Sequence, residues 1–260
     1  MSRRPDRLLT GADLPAEARP SVPQALSVTN VVCYARCPLQ FYWTVVRPRR
    51  RQPSDAARLG SEVHKWIEQR AGRQLTLLAA HDELDPDALP PDPDVALALK
   101  ASFLASPYAD LDPVRVEAPF ELRAGGRAVR GRVDAIYERD GRLELVDFKT
   151  GRPPVDRDRA ADLQLELYAL AAVECWGADA AQVRTTYCYL RTDEPPATVT
   201  VDWERDTAAR VRDDLVAALE AMNDRWFRPR TGRWCERCDF LGFCRAGQAE
   251  MARRPGPPVS

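Results

Sequence analysis

Asp134, Asp147 and Lys149 have the types and spacing that metal-assisted hydrolysis needs. They lie in the stretch GRVDAIYERDGRLELVDFKTG, residues 131–151, two short runs rich in Val, Ile, Leu, Tyr and Phe around Asp140-Gly141, a favoured two-residue hairpin turn. With that pair as the loop, Arg139 faces Arg142, and counting outward brings Asp134 opposite Asp147. Directly opposed residues have Cβ atoms only ~4.5–5.5 Å apart, and residues at i and i+2 on a strand share a face, so Lys149 joins the two acids. Two like charges in that position need a compensating cation. A divalent metal such as Mg²⁺ fits, since it takes one or two carboxylates plus waters and substrate phosphate oxygens. An ammonium beside it can orient a water or stabilise charge developing on phosphorus. The lysines of the chain are Lys65, Lys100 and Lys149, and every other cationic side chain of this type is arginine. Arginine does not replace a compact, strongly hydrated ammonium, so lysine at position 149 is informative.

GRVD followed by VDFKTG resembles the core of the PD-(D/E)XK nucleases, specifically the RecB-like branch. The resemblance implies that Asp134 and Asp147 hold the metal with the backbone carbonyl of Phe148, and that Lys149 is catalytic. Val133 stands where the family name has proline; the acid itself is in place. Upstream, Gly60-Ser61-Glu62-Val63-His64 falls in a helical pattern over Asp55–Arg70 and resembles the family's G-x-x-x-H element, which implies His64 as a further metal ligand. Downstream, Gln164-Leu165-Glu166-Leu167-Tyr168 resembles the Q-x-x-x-Y element. Gln164 and Tyr168, as i, i+4 neighbours, project from one helix face, and the family associates them with the active site and DNA. Leu163, Leu167, Leu170 and Ala171 give the same helix an apolar stripe, so an ordinary amphipathic helix also explains the pattern.

The cysteines form a second, independent signal. Cys235, Cys238 and Cys244 give C-x₂-C-x₅-C beside Trp234, Phe240 and Phe243. Three thiolates leave a tetrahedral site incomplete, and Cys33, Cys37, Cys175 and Cys188 are the candidates for a fourth. Cys37 precedes Pro38 in SVTNVVCYARCPLQFYW, which resembles the entry segment of RecB-like nucleases that carry an iron-sulfur cluster. That resemblance implies a 4Fe-4S cluster on Cys37, Cys235, Cys238 and Cys244, pinning the two ends of the domain together. Zinc is the alternative occupant of a Cys₄ set. Cys33, one helical turn before Cys37, could substitute on spacing; Cys175 and Cys188 read as buried free thiols. An odd cysteine count and the absence of a signal peptide suit a reducing cytoplasm.

These residues need a scaffold. At 260 residues and 45% hydrophobic content, the chain can bury one substantial core, and no apolar run approaches the ~20 residues of a membrane helix. A net charge of −1 is no nucleic-acid signature, so DNA contact must come from local features such as Arg47, Arg49, Arg50 and Arg51, or from a metal-filled groove. Residues 1–25 read as a flexible leader, 26–250 as the domain, 82–94 as an acidic proline-rich linker, 234–245 as the cysteine segment and 251–260 as a tail. Ser27 caps a helix carrying Cys37. Strands are expected at Glu117–Leu122, through the hairpin, at Val183–Leu190 and at Ala197–Trp203, with an amphipathic helix over Asp206–Asn223. The order predicts an α/β fold, and the resemblance makes it restriction-endonuclease-like: a mixed central sheet flanked by helices, its ends tied by the Cys₄ site.

The chain has no G-x-x-x-x-G-K-[ST] loop, so it has no recognisable motor of its own. The resemblance implies a Mg²⁺- or Mn²⁺-dependent DNA exonuclease acting on single-stranded ends in recombination, repair or CRISPR-type processing. It would be free-standing or act with separately encoded helicase or CRISPR adaptation partners. The reading from another class is a catalytically silent iron-sulfur DNA-binding scaffold of a helicase-nuclease assembly. A zinc module with a redox or regulatory role accounts for Cys235–Cys244 alone and leaves the Asp134/Asp147 register unexplained.

Overall fold

The structure, a computed structural model, describes residues 21–49, 55–70, 92–153, 159–192 and 196–254. The expected hairpin is its centre. Strand β3 (Arg127–Arg139) turns at Asp140-Gly141 into β4 (Arg142–Lys149), with Arg139 paired to Arg142 as counted from the turn. Asp140 (φ 51°) and Gly141 (φ 72°) are both left-handed, as a primed turn requires. Strand β2 (Arg115–Ala124) pairs antiparallel along one edge of β3. The other edge of β3 is shared: β1 (Ala25–Ser27) runs parallel to 128–130, and β4 pairs with 135–139. Beyond β4 come β5 (Val183–Tyr189), parallel, and β6 (Ala197–Asp202), antiparallel, completing a mixed six-stranded sheet.

Helices cover both faces, so the expected fold class holds. One buried cluster joins the sheet to α1 (Val28–Arg36), α5 (Arg159–Trp176) and α6 (Arg205–Asn223) through Val31, Val133, Leu145, Leu167, Leu170 and Leu215. The other joins it to α3 (Asp55–Arg70) and α4 (Pro93–Leu104) through Val63, Leu99, Phe103, Val146 and Phe148. A short helix, α2 (Pro38–Phe41), follows α1, and α7 (Arg245–Arg253) closes the described chain. Among the described residues, no helix is long and apolar enough to cross a membrane.

Several expected boundaries move. The leader cannot extend to residue 25, because Val22 is buried and Ala25 already pairs with Ala128. Residues 1–20 and most of the 82–94 linker lie outside the described residues, but Asp92–Asp94 open α4, where the Asp92 carboxylate accepts the Asp94 amide at 3.0 Å. Met251–Arg253 belong to α7 rather than to a tail. Ser27 does cap α1, in a reciprocal capping box with Asn30, but the helix stops at Arg36. Cys37 sits at the junction with Pro38, whose ring cannot continue the helix ladder.

Candidate active site

The side-chain alternation of the sheet slips at one level, and the site is built there. On β3, Val129 and Val133 pack toward α1 and α5, whereas Ala135 and Tyr137 pack toward α3 and α4. On β2, Ala118 and Phe120 pack toward α1 and α5, and Val116 toward the opposite face. A regular strand keeps i and i+2 on one face, so both strands rotate by one position at Asp134 and Glu117. Glu117 has φ 47°, a left-handed conformation costly for a residue with a side chain. At the same level the β3–β4 ladder ends, its last pair being Ala135 and Val146. The strands fork there. Asp134 and Asp147 are the residues just inside the fork, and the Phe148 amide, whose ladder partner is lost, donates to Asp134 Oδ2 at 2.8 Å.

Side chains reach the fork from both faces. From α3, His64 Nδ1 lies 3.3 Å from Asp134 Oδ2. Gly60 lets that helix approach the end of β4, where a Cβ would stand 3.3 Å from Thr150 Oγ1. From α5, Gln164 Nε2 donates to Asp147 Oδ1 (2.7 Å) and to the Tyr168 hydroxyl (2.8 Å), and the Tyr168 hydroxyl donates to Asp147 Oδ1 at 3.2 Å. Lys149 Nζ lies 2.8 Å from Asp147 Oδ2 and donates to Gln164 Oε1 at 3.0 Å. Tyr187, paired with Asp147 across β4–β5, places its ring 4.9 Å from that ammonium. Gln164 therefore fixes the acid and the lysine relative to each other.

The electrostatics are those of crowded acids. Burial acts to raise the Asp134 carboxyl, but His64, the Phe148 amide and Lys149 outweigh it and hold it below the ordinary range. Asp147 moves the other way: burial and the charge of Asp134 raise it against the pull of Lys149. His64 is raised to about 9, chiefly by Asp134. Lys149 is disfavoured by burial yet raised overall by Asp147 and Asp134.

Glu117 is the residue that motif reading missed. His64, Glu117 and Asp134 each offer a ligand atom within 4.8 Å of the others, a set that could hold a metal ion. Burial and the Asp134 charge push the Glu117 carboxyl up to about 7, even though Arg132 pairs with it. The signal was available. The Gly125-Gly126 turn, counted outward like Asp140-Gly141, brings Glu117 opposite Asp134. Asp134 is thus flanked by Glu117 on one strand and Asp147 on the other. Oxygens and one imidazole nitrogen make a donor set suited to a hard divalent cation, and the residues present fit such an ion.

The cysteines gather elsewhere. Cys37, Cys235, Cys238 and Cys244 line one cavity with Trp43 and Trp234, and burial raises the thiols of Cys235 and Cys238, with Cys37 and Cys244 adding to both. Cys244 caps α7, its sulfur accepting the Gly247 amide at 3.4 Å. Cys33 instead packs against the core cluster of α1 and α5. Cys188 is buried on β5, as expected, but Cys175 is exposed near the end of α5, its thiol donating to the Glu121 carbonyl at 3.5 Å. Of the arginine run, Arg49 lies over the Phe243 ring at 5.0 Å, while Arg50 and Arg51 lie outside the described residues.

A mixed sheet between helices, with acids and a lysine at a strand fork, is the arrangement of a nuclease fold. The family model of the PD-(D/E)XK nuclease superfamily matches residues 25–245, and the chain belongs to that superfamily. Among curated proteins it resembles the Gene 69 protein of Mycobacterium phage D29, 29% identical over 131 residues, covering 50% of this chain and 47% of the relative. The Gene 69 protein of Mycobacterium phage L5 is 38% identical over 133 residues, covering 50% and 41%. The matched region thus spans less than half the length of these relatives. A solved structure from Eubacterium rectale, described as a candidate exonuclease, shares the fold with a TM-score of 0.53 at 12% identity, covering 98% of this chain and 97% of that one.

Proposed function

We propose that the protein is a Mg²⁺- or Mn²⁺-dependent deoxyribonuclease that hydrolyses phosphodiester bonds from single-stranded DNA ends. The observation that carries this reading is the convergence of His64, Glu117, Asp134, Asp147 and Lys149 from four elements on one fork. His64, Glu117, Asp134 and Asp147, with the carbonyl of Phe148, would hold the divalent ion. When bound, the ion polarises the scissile phosphate and lowers the pKa of a coordinated water. Lys149, kept protonated by the two aspartates, orients the attacking water or meets negative charge as it develops on the phosphoryl oxygens. Gln164 and Tyr168 hold Asp147 and Lys149 in position, and would orient the strand through them. The roles in recombination, repair or CRISPR-type processing rest on the RecB-like resemblance, as does a helicase or adaptation-protein partner; a cytoplasmic setting rests on the cysteine usage.

The cysteine cavity supports a 4Fe-4S cluster on Cys37, Cys235, Cys238 and Cys244. Either a cluster or a zinc ion held there would be bound at both ends of the domain and coupled to its folding; the cluster is preferred on the resemblance of the Cys37 segment. The silent-scaffold reading gains nothing from the site, where both aspartates and the lysine that the resemblance names are present and in contact with their neighbours.

Two measurements on anaerobically purified protein test the reading. Metal analysis with a visible spectrum is expected to give iron and broad absorption; zinc with no colour would correct the cofactor. Strands labelled at either end, incubated with Mg²⁺ or Mn²⁺, are expected to shorten progressively and to stay intact in EDTA. Intact strands under all these conditions would overturn the nuclease reading.

A further inference from the structure

Where β2 turns into β3, at the end of the pair remote from Ile136, a groove of about 600 Å³ lies around Gly125-Gly126. Arg123, Arg127, Arg130 and Arg212 line it, and among the described residues that line it none is a carboxylate. The acids nearby fall short of neutralising them. Glu121 serves both Arg123 and Arg130, and Glu174 serves Arg212. Arg127 donates to the carbonyl oxygens of Val22 and Pro23 and to Asn223 Oδ1, all neutral acceptors. Among the described residues, four guanidinium groups therefore share two carboxylates, in a chain whose net charge is −1. The excess is local.

Strand β3 runs from the groove to the fork. Arg130 and Arg132 alternate along β3 and are 66% and 52% exposed, and Arg132 pairs with Glu117 at the metal set itself. At ~3.3 Å per residue, the backbone at Arg130 is roughly 13 Å from Asp134 and that at Arg127 roughly 23 Å. A line of cations of that length, ending where a phosphodiester would be cut, matches a polyanionic strand rather than a small anion.

We propose that Arg123, Arg127, Arg130, Arg132 and Arg212 form a track that holds successive phosphates of a nucleic-acid strand whose reacting bond lies in the fork. The track rests on the nuclease reading and specifies where the uncut strand runs. At ~3.4 Å per nucleotide of a stacked strand, it spans about seven nucleotides, and fewer if the strand is stretched. Glu121, between Arg123 and Arg130, weakens the track by competing for both.

Anisotropy of a labelled 20-nucleotide single strand, titrated in EDTA at several salt concentrations, tests this. Arg123→Gln/Arg130→Gln, both at exposed positions, is expected to lower the magnitude of the salt slope by about 1.4, at ~0.7 per lost phosphate contact, and to weaken binding roughly tenfold. Glu121→Gln is expected to tighten binding, a change of opposite sign that general loss of structure does not produce; thermal melting confirms that each variant is folded. Wild-type slope and affinity in the double variant, or weaker binding in Glu121→Gln, would overturn the track while leaving the nuclease reading intact. Wild-type protein that cuts DNA in Mg²⁺ yet shows no strand binding would do the same, and absence of both binding and cutting would remove the nuclease reading as well.

Discussion

Asp134 Oδ2 accepts the Phe148 amide at 2.8 Å, so a carboxylate of the site takes the place of a ladder bond where β3 and β4 part. The same oxygen lies 3.3 Å from His64 Nδ1. One atom thus joins the backbone of β4 to the imidazole of α3, and the charge of Asp134 sets the protonation of His64.

Replacing Asp134 by asparagine removes that charge at nearly constant shape. The His64 pKa, raised to about 9 chiefly by Asp134, is expected to fall by at least about one unit in metal-free protein. An NMR titration of the His64 ring protons measures it. An unchanged value would mean that Asp134 does not control the imidazole.

The pH dependence of stability follows from His64 and Glu117. His64, raised from 6.5 to about 9, contributes stability that is complete below pH 6.5 and is lost as pH rises through 9. Glu117, raised from 4.5 to about 7 first by burial, makes folding less favourable as it ionises across that interval. Both favour the protonated chain, so in EDTA the wild-type advantage over His64→Gln/Glu117→Gln should shrink from about pH 5 to about pH 9. Thermal melts of both proteins across that range would show it; a difference that stays constant, or grows with pH, contradicts the assignment.

Gln164 bonds both Asp147 and Lys149, so it acts through them. Gln164→Ala should lower kcat on the order of tenfold to a hundredfold by loosening a positioned pair, with little change in KM. Tyr168→Phe removes a 3.2 Å bond to Asp147 and a 2.8 Å bond from Gln164 but leaves the Gln164 bonds to Asp147 and Lys149, and should cost less, about 1–2 kcal/mol in kcat/KM. A larger loss for Tyr168→Phe than for Gln164→Ala would make the tyrosine, not the glutamine, the residue that positions the pair.

Gly131 lies beneath the Phe120 ring and against Val28, and a Cβ there would overlap the ring and come within 2.7 Å of Val28 Cγ2. Gly131→Ala should therefore destabilise the fold by about 1–3 kcal/mol, and Phe120→Leu in the same chain should recover part of it. Urea unfolding of the single and double variants checks this. Strictly additive losses would mean that the ring is not what the methyl meets.

The hairpin, its turn and the helix over Asp55–Arg70 were legible in the sequence because each follows from a local rule: two-residue turn chemistry, strand alternation and helical periodicity. Gln164, Tyr168 and His64 were legible through resemblance, and the fold brings them to the fork. Glu117 was not read as part of the site, although the Gly125-Gly126 turn sets its register, because an acid on an expected strand looks like a solvent-facing position. The left-handed turn of its backbone belongs to the fork, which three strands create together. Strand β1 and helix α4 escaped for similar reasons. Three residues pair only because β3 offers a free edge, and α4 starts inside a stretch whose prolines and acids read as linker.

Cleavage of an end-labelled single strand in Mn²⁺ by wild-type protein, Asp134→Asn and Lys149→Ala, each verified as folded, tests most directly whether the fork is where phosphodiesters are hydrolysed. Progressive shortening by the wild type is expected, with a loss of at least about a hundredfold in rate in both variants. Wild-type rates in either variant would show that the chemistry, if present, lies outside the fork.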